Sequence, residues 1–315
     1  MRNSGIVRNV HRHPRLAALL GAALAFAAVA GFRAVHGAAP ASVDSPPVSV
    51  PPAAGPTDAG LARLVAEVKA RAPAGFHVVS SPPFVVAGDE PPRTVELRAR
   101  QTVAWAVERL KKEFFERDPR QAISIWLFRD KASYEKHTVE LFGDRPTTPF
   151  GYYSPAHRAL IMNIATGGGT LVHEIVHPYV RENFPACPAW FNEGLGSLYE
   201  QASERQGRIV GLTNWRLDGL QQAIRQKRAL SFESLTALSD ADFYAADKGV
   251  AYGQARYLCY WLQEKGLLVK FYRAFRDRHA DDPAGYRTLR DVLGNPDMAA
   301  FQKEWEAFVL GLRFP

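Results

Sequence analysis

Apolar residues along this 315-residue chain follow two different spacings after residue 57. Short apolar runs bounded by prolines or polar residues are typical of buried strands. They predict strands at 76–79, 84–87, 123–128, 150–153 and 159–164. Apolar residues three or four positions apart predict helices at 59–71, 94–116, 214–228, 252–264, 267–279 and 298–312. This order predicts an α+β fold, with a mixed β-sheet in an N-terminal lobe and a mainly helical C-terminal lobe.

The amino terminus has a different composition from the rest of the chain. Residues 1–15 contain four arginines and two histidines but no acidic residue, and an apolar run follows from Leu16 to Phe32. This pattern predicts export, with residues 1–39 as either a cleaved signal peptide or an N-terminal membrane anchor. Residues 40–56 are rich in proline and alanine and predict a semi-extended linker. We therefore expect a protein that is periplasmic, anchored on the outer side of the inner membrane, or secreted.

The net charge of +7 comes mainly from this amino-terminal segment. Five of the 39 basic residues lie within the first 37 residues, which contain no acidic residue, so the remainder has 34 basic and 32 acidic residues. A nearly neutral remainder gives no electrostatic reason to expect nucleic-acid binding.

A pair of histidines four residues apart lies in the middle of the chain. His173-Glu174-Ile175-Val176-His177 is an HExxH pentad, and three glycines precede it at 167–169, where we expect a strand-to-helix connection. On a helix, residues four apart lie on one side, so both imidazoles can bind one metal ion. Glu174 would then lie beside the ion, with its carboxylate available to accept a proton from an attacking water. The pentad thus predicts one bound Zn²⁺ with Glu174 as general base.

A third ligand candidate follows the pentad. Pro188 predicts the start of a second helix, which carries Glu193 in the segment Trp190-Phe191-Asn192-Glu193-Gly194. Two histidines and one glutamate leave a fourth position open for water, as is typical of catalytic zinc sites. The other interpretation is that these are ordinary helix residues in a fold that has lost its metal, with Glu193 favoured by the helix dipole.

With the pentad and the NEG segment in this order, the chain resembles the gluzincin zinc metallopeptidases of the peptidase MA-like family. The resemblance implies a zincin-like α/β lobe over residues 57–203, containing both motif helices, and a helical lobe over 204–315. It implies that His173, His177 and Glu193 bind zinc and that Glu174 is the catalytic base. Glu200, seven residues after Glu193, also has a counterpart in the family.

Further features are implied by the same resemblance. The helix led by Tyr252 is similar to one in related aminopeptidases whose first tyrosine donates to the oxyanion, which implies that role for Tyr252. Tyr244 is the nearby substitute, and a packing role for Tyr252 is the alternative. Zincin folds also place an edge strand beside the active-site helix, which implies that position for the strand at 159–164. Since the chain has no GxMEN-like segment upstream of the pentad, the resemblance does not extend to an aminopeptidase activity.

Two functions from different classes fit these observations. One is an exported zinc-dependent peptidase that acts on a peptide or protein substrate. The other is a catalytically silent, envelope-anchored binding protein that keeps the zincin fold.

In an exported protein, Cys187 and Cys259 can form a disulfide, although Cys259 can equally be a small buried apolar residue. Pro178 removes an amide donor immediately after the second histidine, so we expect a kink there.

Overall fold

The computed structural model describes residues 55–245 and 249–314. The predicted export segment and nearly all of the predicted linker lie outside these residues. Within the described part of the chain, no helix is both long and apolar enough to cross a membrane.

Within residues 55–200, a five-stranded sheet is combined with six α-helices. Its strands are β1 (His77–Ser81), β2 (Phe84–Gly88), β3 (Ile123–Phe128), β4 (Gly151–Ser154) and β5 (Ala159–Asn163). The helices are α1 (Asp58–Arg71), α2 (Pro92–Arg98), α3 (Trp105–Glu113), α4 (Lys131–Phe142), α5 (Gly168–Asn183) and α6 (Ala189–Leu198). A π-helical segment, Ala99–Ala104, joins α2 to α3, so the long helix predicted at 94–116 is a helical run in three parts.

The sheet has the strand order β1-β2-β3-β5-β4 and is mixed, as predicted. Strands β2, β3 and β5 are parallel, whereas β1 and β4 pair antiparallel at the two edges. The expectation that 159–164 forms the edge strand was wrong, because β5 pairs with β3 on one side and with β4 on the other. The turn after β4 folds it back against the outer side of β5. Strand β4 is therefore the edge.

Successive residues of the central strands face opposite sides of the sheet, as the two-residue period of a strand requires. In β2, Val86 packs in the larger apolar core, which includes α5 and α6, whereas Val85 packs in a smaller core with α1 and α4. Because both faces are covered, all residues of β2, β3 and β5 are buried. This explains why these strands are continuous apolar runs rather than alternating patterns.

The C-terminal part is mainly helical, as predicted. It begins with a hairpin of β6 (Ala202–Arg205) and β7 (Arg208–Gly211). The helices are α7 (Arg216–Arg225), α8 (Phe232–Thr236), α9 (Asp240–Ala245), α10 (Val250–Glu264), α11 (Leu268–Arg278), α12 (Tyr286–Val292) and α13 (Met298–Gly311). Helix α10 packs along α6, and the larger core runs without interruption from Phe84 of the sheet to Val309 of α13. The division into lobes at residue 203, which falls within β6, stays a prediction.

Candidate metal centre

Helix α5 presents the HExxH pentad from the interior of the protein. It begins after Gly167, whose φ of 109° is accessible to glycine, and it continues through Pro178 to Asn183. The rings of His173 and His177 lie on one side of the helix with their centroids 4.8 Å apart. His173 is 4% exposed, so its orientation is fixed by packing.

Helix α6 brings a carboxylate to these two rings. It begins after Pro188, and its first amide, that of Ala189, donates to Asp240 Oδ1. Glu193 Oε2 lies 3.2 Å from His173 Nε2, and Glu193 Oε1 lies 3.8 Å from His177 Nε2.

The three side chains form a group that could hold a metal ion. One ligand atom from each lies within 4.8 Å of the others. Tetrahedral ligands about 2.0–2.1 Å from a zinc ion are themselves about 3.3 Å apart, so this spacing needs only small side-chain adjustments. Two nitrogen donors and one carboxylate oxygen are compatible with zinc.

The remaining nitrogen of each ring faces a polar partner. His177 Nδ1 lies 3.0 Å from Asn192 Oδ1, and His173 Nδ1 lies 3.3 Å from Glu200 Oε1. Asn192 lies beside Glu193 on α6, and Glu200 follows the end of that helix. Partners of this kind orient imidazoles so that the other nitrogen points into the metal site.

Glu200 is itself held by two groups that follow the β6–β7 hairpin. Arg216 donates two hydrogen bonds to its carboxylate, at 2.9 and 2.7 Å, and Asn214 Nδ2 donates a third at 3.0 Å. This bidentate pairing fixes the carboxylate that faces His173. The pKa of Glu200 is lowered, because the charge and hydrogen bonds of Arg216 outweigh the effect of burial.

The histidines and glutamates of the candidate metal centre shift each other's pKa values. Burial alone lowers the pKa of His173, but hydrogen bonds to Glu193 and Glu200 outweigh burial and raise it to about 10. Burial raises the pKa of Glu193, but the positive charge of His177 and the hydrogen bond to His173 lower it to about 2. His173 and Glu193 therefore each favour the charged form of the other.

Glu174 lies beside this group and has a different environment. Its Oε2 is 3.9 Å from His177 Nε2, and its carboxylate accepts a hydrogen bond from the backbone amide of Tyr153 on β4. Burial raises the pKa of Glu174, while the neighbouring histidines oppose the increase. A carboxylate whose pKa is raised toward neutrality is suited to accept and return a proton.

Two glycines allow the helices of the site to approach each other closely. A Cβ atom on Gly169 would lie 1.8 Å from the carbonyl oxygen of Glu200, and one on Gly196 would lie 3.2 Å from His173 Nε2. The glycine run before the pentad is therefore more than a flexible connection. It permits the start of α5 to contact the chain at Glu200.

Two tyrosines were candidates for an oxyanion donor, and they lie in different positions. The hydroxyl of Tyr244 on α9 donates to Glu193 Oε1 at 2.8 Å, and its side chain lines the cleft over the site. Tyr252 is not among the described residues that line this cleft. Its hydroxyl is buried without a hydrogen-bond partner in the described part, and its ring packs 4.9 Å from that of Phe243. The catalytic role of Tyr252 stays a prediction.

The cleft above the site has a volume of about 290 Å³ and two contrasting sides. We call His173, Glu174, His177, Asn192 and Glu193 the inner wall. We call Tyr152, Tyr153, Pro155, Val180, Arg181, Phe184 and Pro185 the outer wall. Tyr244 and Cys187 complete the lining.

Both Cys187 and Cys259 are free thiols, and Cys259 is buried in the larger core as a small apolar residue would be.

Sequence reasoning did not identify several residues of this site. Asn192 belongs to the NEG segment and could have been found from its place beside Glu193. Arg216 and Asn214 had no local signal, because they reach Glu200 across a hairpin. Arg256 is fully buried on α10 and donates to the carbonyl oxygens of Ser197 and Leu212, which fastens the end of α6.

Residues 165–282 match the model of a protein family described as "Protein of unknown function (DUF1570)". The matched region begins just before α5 and ends after α11, so it contains the pentad, Glu193, Glu200, Arg216 and both tyrosines. A search of curated proteins found no match to the chain.

Proposed function

We propose that this protein is an exported zinc-dependent peptidase, with His173, His177 and Glu193 as metal ligands and Glu174 as general base. The proposal rests on one observation: a buried two-histidine, one-glutamate group opens into a cleft with a further carboxylate beside it. A structural zinc site is normally closed by a fourth protein ligand, whereas a catalytic site keeps one position for water or substrate. Support for export comes from the sequence of residues 1–39 alone.

A bound zinc ion supplies Lewis acidity, which polarises a substrate carbonyl and makes a water molecule more acidic. Glu174 would accept the proton of the attacking water as its oxygen bonds to the carbonyl carbon. Glu174 would then deliver that proton to the amine as the C–N bond breaks. The raised pKa of this carboxyl suits both transfers.

Tyr244 is the donor that the geometry favours for the developing oxyanion. Its hydroxyl already lies within hydrogen-bonding distance of Glu193, at the mouth of the ligand group. A phenol there can donate to negative charge that forms beside the ligands. Tyr252 is the alternative donor, and its buried hydroxyl would have to move to reach the cleft, which Tyr252 does not line.

The position of β4 supports a peptide as the substrate. One side of β4 pairs with β5, and no strand of the described residues pairs with its other side. An unpaired strand edge can offer backbone amides and carbonyls to an extended peptide, although the Tyr153 amide of this edge already donates to Glu174. Tyr153 of this strand also lines the cleft, so a peptide added there would pass over Glu174.

Metal analysis and hydrolysis assays on the purified full chain test this proposal. We expect about one zinc per chain and cleavage of a library of quenched fluorescent peptides. Glu174→Gln should keep the zinc and lose hydrolysis by roughly 10³-fold or more, because it removes the base and leaves the ligands. Glu135→Gln, the same change on the exposed face of α4, should alter neither quantity.

Three outcomes would contradict the proposal. A chain that retains no zinc after loading and dialysis is not a zinc enzyme. Retained hydrolysis in Glu174→Gln removes Glu174 from the mechanism. A zinc-bound wild type that cleaves no peptide of the library would instead indicate the catalytically silent binding protein.

A further inference from the structure

The outer wall contains one cation that the proposed chemistry does not use. Arg181 follows His177 by four residues on α5, so His173, His177 and Arg181 lie on one side of the helix at successive turns. Arg181 is exposed and lines the cleft.

The partner of Arg181 is a phenol rather than a carboxylate. Its guanidinium hydrogen-bonds the side chain of Tyr153, and no acidic residue of the described chain forms an ion pair with it. The neighbouring exposed arginine Arg120 does have a carboxylate partner, Glu182. An arginine has five donors in a planar fork that matches a carboxylate, so Arg181 has unused capacity for an anion.

The surroundings of Arg181 make that capacity selective. Its neighbours in the outer wall are apolar or aromatic, among them Val180, Phe184 and Pro185. On the inner wall, the acidic side chains Glu174 and Glu193 are buried. Away from the metal-ligand group, Arg181 is the one lysine or arginine among the described lining residues that can pair with an anionic group of a substrate.

We propose that Arg181 binds a carboxylate of the substrate, so that the cleft selects peptides with an acidic group close to the scissile bond. This inference rests on the proposed peptidase function. Arg181 lies about 6 Å beyond His177 along the helix axis, and an extended peptide advances about 3.3 Å per residue. The carboxylate therefore belongs to a residue about one to three positions from the scissile bond. Either an acidic side chain or a free C-terminus supplies this chemistry.

Binding of two small hydroxamates to the zinc-loaded full chain tests the proposal without turnover. Glutaric acid monohydroxamate has a metal-binding end and a carboxylate, and its carboxamide analogue has the same length without the charge. In calorimetry, we expect wild type to bind the acid about tenfold more tightly than the amide, as a charge-assisted hydrogen bond at an exposed site provides.

Three variants assign that preference to Arg181. Arg181→Gln should bind both compounds equally and keep the wild-type affinity for the amide, which shows that the metal group is intact. Arg181→Lys should keep part of the preference, because it retains the charge but not the planar fork. Arg158→Gln is the matched control, since Arg158 is an exposed arginine near Tyr153 that does not belong to the described cleft lining.

Three alanine-based pentapeptides, added to the zinc-loaded Glu174→Gln chain so that they are not hydrolysed, separate the two sources of carboxylate by their ability to displace the glutaric hydroxamate. One has a central glutamate and an amidated C-terminus, the second has a central glutamine and a free C-terminus, and the third has a central glutamine and an amidated C-terminus. Stronger displacement by the first indicates a side-chain carboxylate, and by the second a C-terminal one. Equal displacement by all three contradicts the inference.

The failure of this inference is distinguishable from failure of the proposed function. If wild type binds neither zinc nor either hydroxamate, the metallopeptidase proposal fails and this inference fails with it. If both hydroxamates bind with equal affinity, the metal site stands and the carboxylate site is wrong. If Arg181→Gln keeps the wild-type preference for the acid, another residue binds the carboxylate.

Discussion

The inner and outer walls of the cleft are built in opposite ways. On the inner wall, the side chains of His173 and Glu193 are at most 5% exposed, and each contacts another charged group. On the outer wall, Tyr152 and Tyr153 are only half-buried, and Arg181 is exposed. Fixed, desolvated polar groups are suited to holding a metal and moving protons, whereas a partly exposed aromatic surface can adapt to different side chains. For the proposed peptidase, this difference predicts that the chemistry and the choice of substrate can be changed separately.

The largest expected effect concerns Tyr244 and Tyr252, the two candidate oxyanion donors. Tyr244→Phe should lower kcat by roughly 10²- to 10³-fold with zinc retained, because the hydroxyl beside Glu193 is lost. Tyr252→Phe should be nearly silent, since its hydroxyl has no partner within the described chain. Steady-state kinetics with metal analysis on both variants measures these effects. A reversed result would assign the oxyanion to Tyr252, and two silent variants would leave it to other donors.

A smaller effect is expected for the partner behind the first histidine. Glu200→Gln weakens the contact with His173 and breaks the bidentate pair with Arg216, so zinc affinity should fall about 10- to 100-fold. Competition with a chromophoric chelator measures this affinity. Glu204→Gln, which alters a solvent-exposed pair with Arg109, is the control. Unchanged affinity in Glu200→Gln would mean that packing alone orients His173.

The smallest effect should come from the outer wall. Tyr152→Phe removes a 2.7 Å hydrogen bond to Asp144 Oδ2, so the free energy of unfolding should fall by about 1 kcal/mol. Zinc affinity should not change, because this hydroxyl contacts no group of the inner wall. Urea denaturation and chelator competition on the same preparation test both statements. A marked loss of zinc from this variant would show that the two walls are coupled.

The parts of the site that could be predicted from sequence are those set by local geometry. The pentad needed only the helical period to place two imidazoles together, and Pro188 marked the start of the helix that carries Glu193. The same periodicities gave the α+β class, since apolar runs and helical spacings each reflect the burial of their own segment.

The features that could not be predicted from the sequence depend on contacts between residues far apart in the chain. The apolar pattern of 159–164 shows that β5 is buried but not which strands flank it, so the edge was assigned to the wrong strand. The β6–β7 hairpin has mostly exposed residues in β6 and thus no apolar signal. Its turn, with positive φ at Gln206 and Gly207, was the available clue. That hairpin sets the position from which Arg216 reaches Glu200. Without the hairpin, the sequence could not predict the Arg216–Glu200 ion pair.

The candidate metal centre depends on Gly169, although this residue has no donor atom. The start of α5 touches the main chain at Glu200 there, and the gap is too narrow for even a methyl group. His173 lies about one turn further along the same helix, and its ring faces the Glu200 side chain. A side chain at position 169 would push the start of α5 away from the main chain at Glu200. We expect the first effect to be a displaced His173 imidazole, several ångströms from the substituted residue, in a protein that is still folded.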